Sequence, residues 1–202
     1  MTAVATVPTR TSTGSIGRIE EARSRAIGAL LTCIARHGLA KTTLEDVARE
    51  AGCARATLYR HFGDKRRLVE AALASEADRV ATAALVAAAA ADTLPAAVAA
   101  VVATGSRELR DHAAFEFLTA YEPETILPHL SFTGFDNLLA AGAPLVAPAY
   151  DRFLPPSEAA RLAEWTVRVV FTCGGTLSPI DLADGAVARR FVANYLPINP
   201  RG

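Results

Sequence analysis

Residues 43–73 read TLEDVAREAGCARATLYRHFGDKRRLVEAAL, two short apolar-striped segments divided by a glycine and followed by a longer one. Leu44, Val47, Ala48 and Ala51 recur at the three-and-four spacing of a helix face. Thr43 stands before them as a cap, with Asp46 three positions on as a short form of the capping box. Gly52 ends this helix early and supplies the left-handed backbone of a sharp turn. A second short helix, about 55–61, turns Leu58 inward, and Phe62 follows it into the core. Gly63 stops that helix, and Asp64 caps a long one running from Lys65 to about residue 90. Two short helices joined by Gly52-Cys53-Ala54 have the form of a helix-turn-helix, whose second helix enters the DNA major groove.

The positions left pointing outward carry the matching chemistry. Arg55, Thr57, Tyr59, Arg60 and His61 can donate hydrogen bonds to base edges and phosphates, and Ala56 or the Thr57 methyl can meet a thymine methyl. Lys65-Arg66-Arg67 places cations in the first turn of a helix, where each opposes the macrodipole by about 0.3–1 kcal/mol. A phosphate on that helix start would reverse the sign, because cations, free N–H groups and dipole would then act together. For Lys65 the phosphate is the expectation. For Arg66 and Arg67, neutralisation by Asp64 and Glu70 on a solvated face explains the pattern equally well.

The 202 residues carry no net charge, yet residues 1–73 hold 12 Lys/Arg against 7 Asp/Glu and residues 74–202 hold 9 against 14. A basic N-terminal third on an acidic remainder suits a polyanion-binding module attached to a separate body. Half the residues are apolar and alanine is abundant, a helix-prone composition. No apolar run reaches the roughly 18 residues a membrane helix needs. The start, MTAVATVPTRTSTGS, lacks a secretory pattern, so a cytoplasmic location and no membrane partner are expected. Three widely spaced cysteines, Cys33, Cys53 and Cys173, suggest neither a disulfide framework nor a metal site, and no cofactor is implied.

Residues 1–17, rich in Thr, Ser, Gly and Pro, read as a disordered arm. Helical spacing begins near Arg18 with the stripe Ile27, Leu30, Leu31, Ile34 and stops at His37-Gly38. Beyond residue 90, helices fit 94–111, 113–122, 132–152 (broken near Pro144 and Pro148), 157–174 and 181–196. No sustained strand alternation appears. The expected fold is all-α with a DNA-binding domain over 18–73 and a second helical domain over 74–202.

Taken together, Thr43, Val47-Ala48, Ala51-Gly52, Leu58-Tyr59-x-His61-Phe62, Lys65 and Leu68 resemble the DNA-binding domain of the TetR (tetracycline repressor) family, over about residues 18–75. The resemblance implies an all-α homodimer of about nine helices. It also implies repression of transcription from a palindromic DNA operator, relieved by a small ligand held in the C-terminal domain. Position by position, Thr43, Tyr59, His61 and Lys65 match the family's phosphate contacts, and Arg55 and Thr57 its base readers. Two positions depart from the pattern. Cys53 stands for an aliphatic, and Ala54 replaces a capping Ser or Thr, at a cost of roughly 1 kcal/mol.

In the body, seven of thirteen aromatics fall between residues 115 and 153. Such a cluster is either core or the lining of a ligand site between helices. The ligand reading takes Phe115, Phe117, Tyr121, Phe132, Phe135, Leu138 and Trp165 as the lining of a pocket for an apolar or lipid-like effector. The last two helices are expected to form the dimer interface, a four-helix bundle with their copies. Its residues would be Leu162, Val169, Val170 and Cys173 on one helix and Val187, Phe191 and Tyr195 on the other. Two other readings are weaker. The helix-turn-helix could bind protein, as in an adaptor, but the basic first turn argues against that. Cys173 with a histidine could form a nucleophilic pair, but nothing in the sequence fixes a histidine or an acid beside it.

Overall fold

The computed structural model describes residues 13–129, 132–174 and 179–196. Ten α-helices and two single 3-10 turns account for most of it, with no strand among the described residues. In order they are α1 (Thr13–His37), α2 (Leu44–Glu50), α3 (Arg55–Phe62), α4 (Lys65–Ala89), α5 (Leu94–Arg110), α6 (Ala113–Tyr121), α7 (Pro123–Ile126), α8 (Phe132–Val146), α9 (Pro156–Cys173) and α10 (Gly185–Tyr195). The tenth, beyond the expected nine, is the single turn α7, opened by Pro123 at its first position.

Three boundaries differ from expectation. Helix α1 begins at Thr13, so residues 13–17 of the expected arm are helical, and residues 1–12 lie outside the described chain. Helix α8 continues through Pro144 to Val146. Pro144 cannot donate to Ala140, but both residues are exposed, so water can satisfy the freed carbonyl and the helix survives. The other expected break, near Pro148, is present as the turn at 147–149. Helix α10 starts at Gly185 because Asp184 caps it, accepting from the N–H groups of Ala186 (2.7 Å) and Val187 (2.9 Å).

Two hydrophobic cores organise these helices. The head core gathers Ala26, Leu30, Cys33 and Ile34 of α1, Leu44, Val47 and Ala48 of α2, Leu58 and Phe62 of α3, and Leu68 and Ala72 of α4. It also takes Ala114 from α6, with Leu118 packed against it. The body core is built around α5, which buries Ala97, Val98, Ala99, Val101, Val102 and Ala103. A helix apolar on nearly every side must be wrapped by others, and α4, α9 and α10 do this. Gly105 lets Val170 of α9 come close: a Cβ there would stand 3.1 Å from Val170 Cγ2. The chain turn at 147–149 delivers Tyr150 into this core fully buried, and its hydroxyl meets Thr166 Oγ1 at 2.9 Å. Burial holds the phenol proton far more tightly than usual. Helix α4 has no basic residue in its last turn. Arg152 supplies the missing donors, reaching the carbonyls of Ala88 (3.0 Å), Ala89 (3.3 Å) and Ala91.

The expected boundary at residue 73 therefore falls inside the continuous α4, which serves both cores. The same packing corrects the expected dimer surface. Leu162 (1% exposed), Val169 and Val170 (8%) are buried within their own subunit. Helix α9 packs on both α5 and α8, so its apolar stripe is wide because it has two neighbours inside the chain.

Candidate nucleic-acid interface

The α2–α3 unit is built by caps and one special turn. Thr43 Oγ1 accepts from Asp46 N–H (3.2 Å), while an Asp46 carboxylate oxygen accepts from Thr43 N–H (3.0 Å) and from its hydroxyl (2.6 Å). These bonds, the Thr43 hydroxyl first, hold the Asp46 carboxyl down at about 2. A carboxyl lowered on folding stabilises above its unfolded value, near 4, so the box is intact from there upward and is lost as pH falls toward 2. The chain then reverses at Gly52, φ +63°, a conformation that costs a residue with a side chain roughly 1–2 kcal/mol. Cys53 N–H donates to Ala48 C=O at 2.9 Å, and the half-buried Cys53 packs against the head core. At Ala54 the start of α3 has no side-chain cap, the deficit expected from the sequence.

Helix α3 buries Leu58 and Phe62 and turns Arg55, Ala56, Tyr59 and Arg60 outward, with Thr57 and His61 half-buried at the margins. The Arg55 guanidinium lies over the Tyr59 ring (5.2 Å to its centre), donates to the Tyr59 hydroxyl (3.0 Å) and pairs with Glu45 of α2. Exposed pairs of this kind contribute about 0–1 kcal/mol, so Arg55 is parked on the surface and can swing toward a base at low cost. The far end of α3 is held by a residue the sequence reading did not single out. Arg23 of α1 donates to His61 C=O (3.2 Å), and its guanidinium stacks over Phe62 (4.8 Å). A lone arginine on a helix face gives no sequence signal for a carbonyl 38 positions away.

The first turn of α4 divides its three cations. Asp64 caps it, accepting from Arg67 N–H at 2.8 Å. Arg66 pairs with Glu70 one turn on, at 2.6 Å. Lys65 turns inward, and its ammonium donates to Leu39 C=O in the α1–α2 loop at 2.6 Å. Thr43, Arg55, Ala56, Thr57, Tyr59, Arg60 and His61 lie on α3 or at the start of α2, while Lys65 joins them partly as an internal tether.

The expected ligand lining does not gather in one place. Phe117 packs on Tyr121 (4.9 Å between ring centres), with Tyr121 largely exposed and Phe117 close to Gly38 of the head. Phe135 lies under the Arg168 guanidinium (5.5 Å), whereas Trp165 stacks on Phe191 of α10 (6.5 Å). Phe115 and Leu138 are half-buried, and the Phe132 side chain lies outside the described residues. A cleft of about 530 Å³ opens elsewhere, between head and body, against Leu31, Ala35, Glu76, Arg79, Glu108 and His112. None of the seven expected residues lines it. Its wall is a charged network: Arg79 bridges Glu76 (2.7 Å) and Glu108 (2.6 Å), and His112 Nε2 lies 3.3 Å from Glu76. Cys173 Sγ, for its part, stands 3.6 Å from Thr172 Oγ1.

Residues 27–72 match the family described as bacterial regulatory proteins, tetR family. Over these residues, from α1 into α4, the chain is similar to that family. The HTH-type transcriptional regulator SrpR of Pseudomonas putida is 41% identical over 56 residues, which are 28% of this chain and 26% of SrpR. The match thus spans about a quarter of that relative's length. The fold as a whole is that of solved TetR-family structures. The repressor AlkX of Dietzia sp., implicated in biodegradation of n-alkanes, superimposes with a TM-score of 0.69 at 18% identity, over 86% of this chain and 94% of AlkX. The multidrug binding protein EbrR, complexed with imidazole, gives 0.57 at 22% identity, over 90% of this chain and 93% of EbrR.

The missing cap of α3 generates a direct expectation. Ala54→Ser supplies the side-chain acceptor for the first turn and should raise stability by roughly 1 kcal/mol. The urea unfolding midpoint of the purified variant measures this, and an unchanged midpoint would show that the turn is already satisfied by water.

Proposed function

We propose that the protein is a cytoplasmic transcriptional repressor that binds a palindromic DNA operator as a homodimer and releases it on binding a small apolar effector. The observation that carries this reading is the outward face of α3, where Arg55, Thr57, Tyr59, Arg60 and His61 surround a helix held at both ends by the head. Selection from random DNA sequences with the full chain should yield an inverted repeat, bound less tightly as salt rises because phosphate contacts release counterions. On that site Arg55→Ala should relax the preference at one or two base pairs and cost about 1–3 kcal/mol. An equal loss on every sequence would mean that Arg55 touches phosphate instead, and a wild-type protein that enriches no site would overturn the reading.

A two-fold dimer would set the two α3 helices about 34–36 Å apart, one turn of DNA. Its surface is best sought on the faces of α9 and α10 that the body core covers only in part. There Trp165, Phe191 and Tyr195 form a row, with 6.5 Å and 4.9 Å between successive ring centres, and Tyr195 is 63% exposed. Val187 and Cys173, half-buried, lie on the same two helices. Phe191→Glu combined with Tyr195→Glu should give folded monomers in sedimentation velocity that bind a full operator weakly. A double variant that still sediments as a dimer would place the interface elsewhere.

The effector reading rests on proteins of the same fold that are described as implicated in n-alkane biodegradation and as multidrug binding. Medium-chain hydrocarbons and hydrophobic drugs should raise the melting temperature and lower operator affinity together. Charged ligands that do so while apolar ones do not would move the effector site to the polar cleft between head and body.

A further inference from the structure

Among the described residues, Glu122 is the one buried carboxylate, 8% exposed. It sits where α6 ends and α7 begins, its own N–H donating to Leu118 C=O at 3.0 Å. Its carboxylate reaches the α1–α2 loop and accepts from the N–H groups of Leu39 (2.9 Å) and Ala40 (3.2 Å). The approach depends on Gly38, φ +86°, where a Cβ would stand 2.0 Å from a Glu122 oxygen. The Leu39 peptide is gripped from its other side as well: its carbonyl accepts from the Lys65 ammonium (2.6 Å) and from Thr42 N–H (3.3 Å). Thr42 in turn donates its buried hydroxyl to Gly38 C=O at 2.6 Å.

We propose that Glu122 is a positioning residue that sets the orientation of the DNA-reading helices relative to the body, acting through the Leu39 peptide. The inference rests on the DNA-binding reading given above. A surface loop has water available for its N–H groups, so it has no need of a buried carboxylate, a group that is unfavourable to bury unless fully hydrogen-bonded. The carboxylate belongs instead to the end of α6, a helix that packs Ala114 into the head core, meets α5 of the body, and at its start faces α4. His112, the residue before α6, accepts from Phe115 N–H at 3.1 Å through Nδ1 and faces Glu76 of α4 through Nε2. Any shift of α6 carries Glu122 with it, and hydrogen bonds weaken steeply over a fraction of an ångström to an ångström. The displaced loop leads within four residues to Thr43, the cap of α2, and through Lys65 to the first turn of α4. Helix α3 lies between those two points.

Three variants of the full-length protein test this. Glu122→Ala removes the acceptors, Glu122→Asp withdraws them by one methylene while keeping the charge, and Glu122→Gln keeps one oxygen where the two N–H groups point. Each is read in two ways: hydrogen exchange of the Leu39 and Ala40 amides, and the ratio of affinities for the selected operator and for the same half-sites moved apart by two base pairs. Wild type and Glu122→Gln should protect both amides and discriminate spacing. Glu122→Ala and Glu122→Asp should exchange both amides faster and lose discrimination on the order of five- to tenfold, with single half-site affinity unchanged. If half-site affinity falls as far as operator affinity, or if discrimination survives in both variants, the clamp is structural only and the inference fails. A wild-type protein that selects no DNA overturns the regulatory reading and this inference with it. A wild type that does select DNA, beside variants that still discriminate, overturns the inference alone.

Discussion

Helix α4 belongs to two hydrophobic cores at once. Leu68 and Ala72 lie in the head, Ala84 and Ala88 in the body, and no break in the helix separates them. An unbroken α-helix transmits rotation and translation along its length, so the head cannot tilt freely against the body as a tethered domain would. It can move only with α4, or by straining the contacts that α1 and α6 make beside it. The small side chains of α4 suit this role, because alanine lets neighbouring helices approach closely on several sides. Its C-terminal carbonyls, left without a cation of their own, are tied down by Arg152 from the segment between α8 and α9.

The electrostatics of the α4 start follow from the same dual membership. Three consecutive cations at a helix N-terminus look unfavourable in isolation. The fold treats each separately: Arg66 is neutralised by Glu70, the Arg67 side chain folds back over Gly63, and Lys65 is drawn onto a carbonyl of the α1–α2 loop. An ammonium has three N–H groups, and one is committed to Leu39, so Lys65 can hold the loop and still present charge toward a phosphate. The broken local rule thus has a tertiary reason of its own.

The split of the expected aromatic site is also a packing result. Aromatic side chains bury large areas wherever two helices meet, so a cluster in sequence need not be a cluster in space. Phe117 and Tyr121 went to the head–body junction, Phe135 went under Arg168, and Trp165 went to α10. The open cleft fell where small residues face each other, at Ala35 of α1 and Ala113 and Ala114 of α6, rimmed by the Glu76–Arg79–Glu108 network.

What the sequence determined by itself was carried by contacts within one or two helical turns, although the Asp184 cap that starts α10 was not read. The Thr43–Asp46 box, the Gly52 turn, the uncapped Ala54, the Asp64 cap and the inward Leu58 and Phe62 were all legible, because cap, turn and stripe are local in the chain. So were the limits of α5 and α6, which are set by Thr93 and by the turn at Asp111–His112. The tertiary structure alone decided which partner each buried face would meet. An apolar stripe shows that Leu162, Val169 and Val170 must be covered, but not whether another subunit or α5 and α8 will cover them. Pro144 looked like a break, and only the exposure of Ala140 made it tolerable. Arg23 on His61, Lys65 on Leu39 and Glu122 on the Leu39 and Ala40 amides join positions 26 to 83 residues apart. Such pairs leave no periodicity behind, since each is one donor meeting one acceptor at a place fixed by how whole helices pack.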